Sequence, residues 1–359
     1  MKILLPFLIL SSILFSADSL RYYTNDSLGY DSYHTMDESQ TQRSMILADL
    51  NSDGKDEIIH WVYASGQARM EYETSSGDNG YISEYRQVTG GGGRLFSATI
   101  FAYDIENDGD LDIIESSHYD GQDDSLNYHI NLYRNDGGST PSFTKQVLHT
   151  FTKPEFWNGH MMVSSIYVKD LNNDGNADIV YSTGKRTDVD LKVPTHYQGG
   201  IHWLENNGST DFSHHSISDT INYDGSVGAS VASIDVRDIN SDDYPEILIT
   251  TKRFSNFELH PEYGDTLIVY YKSGIQLFEN NNGNFNAYNK IQLHDDLNGA
   301  HNAIFADIDN DEDFDIITGT EKTELIIDED VLPSVRKYFD IIYFENNAGF
   351  NTQSSYSLI

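Results

Sequence analysis

Carboxylates and carboxamides recur along this chain at a spacing that suits a hard cation. Five nine-residue stretches carry oxygen-bearing side chains at positions 1, 3, 5 and 9. They are Asp49, Asn51, Asp53 and Glu57; Asp104, Glu106, Asp108 and Asp112; Asp170, Asn172, Asp174 and Asp178; Asp238, Asn240, Asp242 and Glu246; and Asp307, Asp309, Asp311 and Asp315. Oxygens two residues apart on a tight turn can converge on one point. Calcium, with about six to eight oxygens at about 2.3–2.6 Å, matches such a cage, whereas magnesium keeps several waters. The expectation is three to five calcium ions. Solvated acidic turns are the alternative, which five repeats of one spacing disfavour. Position 6 is Gly54, Gly109 and Gly175 in three copies, where a sharp turn favours positive φ. Asp243 and Glu312 take its place in the other two, which predicts strained or differently shaped turns there.

An EF-hand reading fails on two counts. That loop needs a bidentate Glu at position 12, and position 12 here is His60, Glu115, Tyr181, Ile249 and Thr318. It also sits between amphipathic helices. These loops lie between short β-like runs, such as Met45-Ile-Leu47 and Ile58-Ile59 around the first and Ile166-Tyr-Val168 and Ile179-Val-Tyr181 around the third.

The elements that position the loops repeat with them. Successive first aspartates lie 55, 66, 68 and 69 residues apart, a period that signals a repeat architecture. After each of the last four loops an alternating strand runs into an Asn/Gly turn, at Asn135, Asn206, Asn280 and Asn346, a hairpin signal. A further strand follows: Phe143–Leu148, Phe212–Ile217, Phe285–Leu293 and Phe350–Leu358. In the first unit Ala68–Tyr72 and Tyr81–Val88 must supply the outer strands. The unit is therefore strand, acidic loop, strand, variable loop, strand, turn, strand. Four antiparallel strands, repeated, make a blade of an all-β propeller. An open stack of such sheets would expose two edges and need caps.

The Asp-x-Asn/Asp-x-Asp-Gly-x-x-Asp loop followed by two aliphatic residues resembles the FG-GAP/VCBS repeats of calcium-binding β-propellers, the type also found at the head of integrin α chains. Ile201-His-Trp-Leu-Glu-Asn206-Asn-Gly with the later Phe212-Ser-His-His-Ser-Ile217 strengthens the resemblance. It covers about residues 41–359 and implies a propeller with calcium in its loops. It leaves function open, since the family includes adhesins, lectin-like modules, enzyme accessory domains and enzymes. Many relatives have seven blades. Five loops here predict five blades, over residues 41–90, 95–150, 160–220, 228–294 and 300–359, with 18–40 as an N-terminal segment offering a strand to close the ring.

Residues 1–17 open with a positive charge, run apolar from Ile3 to Phe15 and reach the small residues Ser16-Ala17, the pattern of a secretory signal peptide. The expectation is an exported monomer, secreted, periplasmic or on the cell surface, with no membrane insertion after cleavage. The chain has no cysteine, so no disulfide can staple it, and if anything takes that role it must be metal. Extracellular calcium modules bind at about 10⁻⁴–10⁻³ M, so at roughly millimolar calcium each site adds on the order of 0.4–1.4 kcal/mol. The formal net charge is −35, from 57 acids against 22 Lys and Arg. Only 22 of the acids lie in the loops, so nucleic acid and anionic membranes are excluded as partners.

No catalytic motif survives inspection. Gly228-Ala-Ser230-Val-Ala232 misses the last glycine of a nucleophile elbow, and no Gly-Lys-Ser/Thr follows the run Gly90–Gly93. His214 and His215 sit side by side on a strand, so they point to opposite faces and cannot share an ion. Asn25-Asp-Ser27 and Asn207-Gly-Ser209 are glycosylation sequons, meaningful only in a eukaryotic secretory pathway. The reading that follows is a binding or adhesion module for extracellular glycan or protein. A polysaccharide-active hydrolase or lyase, or a structural part of a surface assembly, are the alternatives. The inserts Gly184–Gly199, Thr251–Gly274 and Thr320–Asp340 vary in length and lie on the face opposite the acidic loops. Variable loops over a rigid scaffold carry function, so Trp157, His160, Asn298 and His301, read as preceding innermost strands, are the candidate ligand contacts.

Overall fold

The computed structural model describes residues 45–64, 67–74, 77–83, 86–87, 99–117, 127–152, 160–186, 197–208, 211–219, 230–259, 267–298, 302–328, 331–346 and 355–357. Among them every regular element is a strand. The strands form five antiparallel sheets, each built from one consecutive stretch of chain, in a propeller-like succession of blades.

The first blade holds β1 (Met45–Ala48), β2 (Glu57–Ala64), β3 (Gln67–Glu73), β4 (Asn79–Tyr81) and β5 (Arg86–Gln87). Its fourth strand is broken, so β4 and β5 pair with β3 at separate places. At the break both Ile82 and Ser83 N–H reach the Met70 carbonyl, at 3.0 and 3.3 Å. The second blade is β6 (Ile100–Tyr103), β7 (Asp112–Ser117), β8 (Asn127–Asn135) and β9 (Phe143–Thr152); the third is β10 (His160–Lys169), β11 (Asp178–Arg186), β12 (Tyr197–Asn206) and β13 (Phe212–Ser218). The fourth is β14 (Ser230–Arg237), β15 (Glu246–Leu259), β16 (Leu267–Asn281) and β17 (Asn284–Asn298); the fifth is β18 (Asn302–Ala306), β19 (Asp315–Asp328), β20 (Val331–Phe344) and β21 (Ser355–Ser357). Apart from β5, which pairs with β3, the strands of each blade pair in chain order. The expected ring-closing segment, 18–40, lies outside the described residues.

Strand alternation explains where the core sits. Successive side chains point to opposite faces, and both faces of an inner blade are apolar. Ile113 on β7 packs toward the first blade and Ile114 toward the third. Ile247 and Ile249 on β15 join Val180, Ile201 and Trp203 of the third blade, while Leu248 between them joins Phe305, Ile316 and Phe344 of the fifth. Among the described residues, four apolar clusters thus lie between consecutive blades. On the first and last blades, Met45, Leu47 and Ile341 remain exposed.

Each acidic loop closes a hairpin between the first two strands of its blade. The closing pairs are Ala48 with Glu57, Tyr103 with Asp112, Lys169 with Asp178, Arg237 with Glu246 and Ala306 with Asp315. The ninth loop residue is therefore the first residue of a strand every time. In the second, third and fourth blades the third and fourth strands close at Asn135 with Phe143, Asn206 with Phe212 and Asn281 with Asn284, at the same end of the sheet as the acidic loop.

Two inserts expected as loops are ladders instead. β15 and β16 stay paired out to Leu259 and Leu267, and β19 and β20 out to Asp328 and Val331. The inserts Thr251–Gly274 and Thr320–Asp340 therefore build long hairpins on the face opposite the acidic loops. Their runs of aromatic and β-branched residues, such as Leu267-Ile-Val-Tyr-Tyr271, favour strand over loop. At about 3.3 Å per residue, the 14 residues of β15 span about 46 Å.

Candidate metal centres

The five loops share one backbone geometry. Position 4 is left-handed in each: Ser52 (φ 58°), Asn107 (56°), Asn173 (58°), Ser241 (61°) and Asn310 (67°). Position 6 is left-handed too, with Gly54, Gly109 and Gly175 at 84–96°. Asp243 (67°) and Glu312 (76°) adopt the same conformation. These two turns are therefore strained rather than differently shaped. A left-handed residue with a Cβ costs roughly 1–2 kcal/mol.

What imposes this shape is the position-1 aspartate. Its second carboxylate oxygen accepts the position-6 N–H: Asp49 from Gly54 at 2.8 Å, Asp104 from Gly109 and Asp170 from Gly175 at 2.9 Å, Asp238 from Asp243 at 3.0 Å and Asp307 from Glu312 at 3.3 Å. The position-5 carboxylate accepts the position-7 N–H in every loop, at 2.8–3.1 Å. The turn folds its own carboxylates inward and holds them there.

Position 9 anchors the loop to the sheet. Glu57, Asp112, Asp178, Glu246 and Asp315 are buried, and one oxygen of each accepts the N–H of the position-2 residue, Leu50, Ile105, Leu171, Ile239 or Ile308, at 2.9–3.1 Å. The other oxygen depends on side-chain length. In Asp112, Asp178 and Asp315 it accepts the backbone N–H of Asn135, Asn206 and Asn346. In Glu57 and Glu246, one methylene longer, it reaches the side-chain amide of Asn51 or Asn240 at position 3. Burial pushes Asp112 up to about 6 and Asp178 and Glu246 up to about 7, against the lowering effect of these backbone donors, with neighbouring loop acids adding to the rise. Glu57 and Asp315 are raised by burial in the same way.

The residues present fit a hard divalent ion. The donor set is all oxygen, and in the fifth loop one carboxylate oxygen each of Asp307, Asp309 and Asp315 lies within 4.8 Å of the others. Ligands about 2.3–2.6 Å from a shared calcium would sit at such separations. The raised carboxyls say the same electrostatically, because a cation would stabilise the ionised form that burial penalises. In the second loop the position-3 residue is already engaged: Arg134 Nε lies 2.6 Å from Glu106 Oε1. A cation there competes with a guanidinium.

Sequence reasoning missed the role of the turn asparagines. Asn135, Asn206 and Asn280 are buried. Each donates its side-chain amide to the position-8 carbonyl of its own loop, Leu111, Ala177 or Pro245. Asn135 and Asn280 also reach back to the preceding blade, to the Leu50 and Leu171 carbonyls, at 2.9 and 2.8 Å. The Asn/Gly signature announces a turn but not this tie between blades. Glu115, the one position-12 residue that matched an EF-hand, lies on β7. It is buried and accepts from Asn131 and Tyr133 at 2.9 and 3.2 Å.

A second assembly lies on the seam between the second and third blades. His214 stacks on His149, with centroids 4.6 Å apart, and on His202 at 5.5 Å, while Tyr181 stacks on His202 at 5.1 Å. His215 points the other way, against Trp203 and onto Glu205 at 2.7 Å, as strand alternation requires. The Tyr181 hydroxyl and His202 Nδ1 are buried with no hydrogen-bond partner among the described residues. Near-parallel rings do not aim their nitrogens at one point, so the trio is no metal cage.

Of the candidate ligand contacts, His160 opens β10 and Asn298 closes β17, so Asn298 ends an outer strand rather than preceding an inner one. Trp157 and His301 lie outside the described residues. No protein-family model matches the chain, and no curated protein matches it.

Proposed function

We propose that this chain is an exported, calcium-stabilised propeller of the FG-GAP/VCBS type that acts as a rigid binding or adhesion module for extracellular glycan or protein. The observation that carries the reading is the five-fold repetition of one loop geometry on one face. Each copy has inward-folded carboxylates, two left-handed residues and a buried ninth carboxylate tied to the sheet. Calcium supplies the positive charge that lets those carboxylates stay ionised, and with it the stiffness a chain without disulfides otherwise lacks. The apolar N-terminal stretch supports export. A rigid scaffold that displays variable elements is suited to recognition.

The test is a binding screen of the full mature chain against a glycan array and against cell surfaces, with calcium and with EGTA. Calcium-dependent retention without product formation is the expected result. Product release from a bound polysaccharide would move the assignment to an enzyme, and absence of any retained ligand would overturn it.

A further inference from the structure

The inner strands run into the acidic loops, and the residues just before each first aspartate decide what the loop face presents at its centre. Positions −3 and −1 share a strand face. They are Ile46 and Ala48 in the first blade and Ile304 and Ala306 in the fifth. In the middle three blades they are Phe101 and Tyr103, Tyr167 and Lys169, and Asp235 and Arg237. A cavity of about 520 Å³ opens where these strands converge, lined among others by Phe101, Tyr103, Tyr167, Lys169, Arg237 and Phe314. That volume falls within the roughly 300–1,000 Å³ of small-molecule sites.

The lining has two chemical halves. One is aromatic: Phe101 and Tyr167 meet at 5.5 Å between centroids, with Tyr103 beside them. The other is cationic: Lys169 and Arg237 come from the third and fourth blades, and the Arg237 guanidinium lies over the Phe314 ring at 4.7 Å. Asp235 is the obvious counter-ion, but it is committed elsewhere. It accepts the Phe305 N–H at 2.7 Å, tying the fourth blade to the fifth, and bonds the Tyr167 hydroxyl. Among the described residues neither Lys169 nor Arg237 forms an ion pair. In a chain with 57 acids and 22 Lys and Arg, two cations outside any ion pair at one cavity are out of keeping with the surroundings.

We propose that this cavity is the ligand site of the module and that it takes an acidic saccharide, a pyranose bearing a carboxylate. The proposal rests on the binding-module reading and supplies its ligand class. The aromatic side chains give the cavity a wall against which the C–H face of a sugar ring can pack. Arg237 and Lys169 lie where the carboxylate at the ring edge can be met, and an arginine fork suits a carboxylate in two-point contact. An acidic peptide side chain would satisfy the cations and leave the aromatic wall unused. Asp238 also lines the cavity and is the first residue of the fourth acidic loop. Calcium in that loop would lower the negative potential an anionic sugar has to approach, so binding should depend on calcium.

The test is calorimetry on the full mature chain, with calcium in excess over ligand, using a trimer of galacturonic acid and its carboxyl-reduced neutral counterpart. The acidic trimer should bind at least about tenfold more tightly, the equivalent of one charge-assisted hydrogen bond. Replacing Lys169→Gln and Arg237→Gln together should abolish that preference while the melting curve and calcium stoichiometry hold. Arg237→Lys alone, which keeps the charge but loses the two-point contact, should retain part of the preference and guards against a folding artefact. Equal affinity for the two trimers, unchanged binding in the double variant, or retention of an Asp-rich peptide in place of the trimer would each overturn the acidic-saccharide assignment. In those cases any ligand found in the wider screen would still support the binding module. A wild-type chain that retains nothing in that screen would remove the module reading itself.

Discussion

Asn280 in the fourth blade donates its side-chain amide to the carbonyl of Leu171 in the third, 109 residues earlier, at 2.8 Å. The same amide donates to Pro245, and its oxygen accepts from the Gly283 N–H. One buried carboxamide thus ties a turn, its own acidic loop and the loop of the neighbouring blade. Asn280→Asp keeps the shape but removes the donor and sets a carboxylate against two carbonyl oxygens. A loss of about 2–4 kcal/mol is expected, from buried groups left unsatisfied. Chemical denaturation at saturating calcium measures it, and an unmoved midpoint would show that the tie contributes nothing.

Calorimetry should find three to five calcium ions per chain. Asp170→Ala, which removes the acceptor for the Gly175 N–H along with a candidate ligand, should cost one ion and lower the melting temperature. EGTA should lower it further. Fewer than two ions per chain, or a melting curve indifferent to EGTA, would remove the structural role of the metal.

The fourth and fifth loops should bind most weakly, because Asp243 and Glu312 hold the left-handed conformation that glycine adopts freely. Asp243→Gly and Glu312→Gly should each stabilise the chain by about 1 kcal/mol and tighten the corresponding site. Loss of stability in both variants would mean that these side chains do something the loop geometry does not reveal.

In the second loop, Arg134 stands where it neutralises Glu106. Arg134→Gln should raise calcium affinity at that loop about two- to fivefold, in line with up to ~1 kcal/mol for a half-exposed ion pair. Site-resolved titration against the Asp104→Ala variant would show it, and unchanged or weaker affinity would count against competition.

Acid should weaken the seam between the second and third blades. Burial, with His214 alongside, holds His149 and His202 down at about 4, against an ordinary 6.5. The charged group facing them is Asp219, which acts on His202 in the opposite sense. With the folded values below the unfolded ones, the unfolded chain takes up protons first as pH falls. Stability present above about 6.5 is therefore lost progressively toward 4. The loss should be about 1–2 kcal/mol per histidine once solvent at the seam is allowed for. Buried loop carboxyls such as Asp178 are raised and titrate with the opposite slope. Comparing denaturation at pH 7 and pH 5 for the wild type and for His149→Gln with His202→Gln isolates the histidine contribution. Equal slopes in the two proteins would refute it.

Much of the fold was legible because its signals are local. The pair that closes each loop, such as Lys169 with Asp178, follows from a strand ending in an acidic turn, and the alternation of Ile247, Leu248 and Ile249 between two clusters follows from a period of two. What the sequence concealed depends on contacts across many residues. Nothing local marks Asn135 as a partner of Leu50, or brings His149 beside His214. The inserts in the fourth and fifth units were misread because variable length suggests loops, while their pairing, out to Leu259 with Leu267, is set by the partner strand.

Because each apolar cluster is shared by two neighbouring blades, none belongs to a single one. A blade cut out alone would present two oily faces to water. Duplication or loss of an internal copy would bring together faces already made of the same kinds of residue, as Val180 and Trp203 meet Ile247 and Ile249. Nearest-neighbour coupling of this sort makes repeats interchangeable. An internal blade added or removed as a whole would therefore still meet apolar faces on both sides.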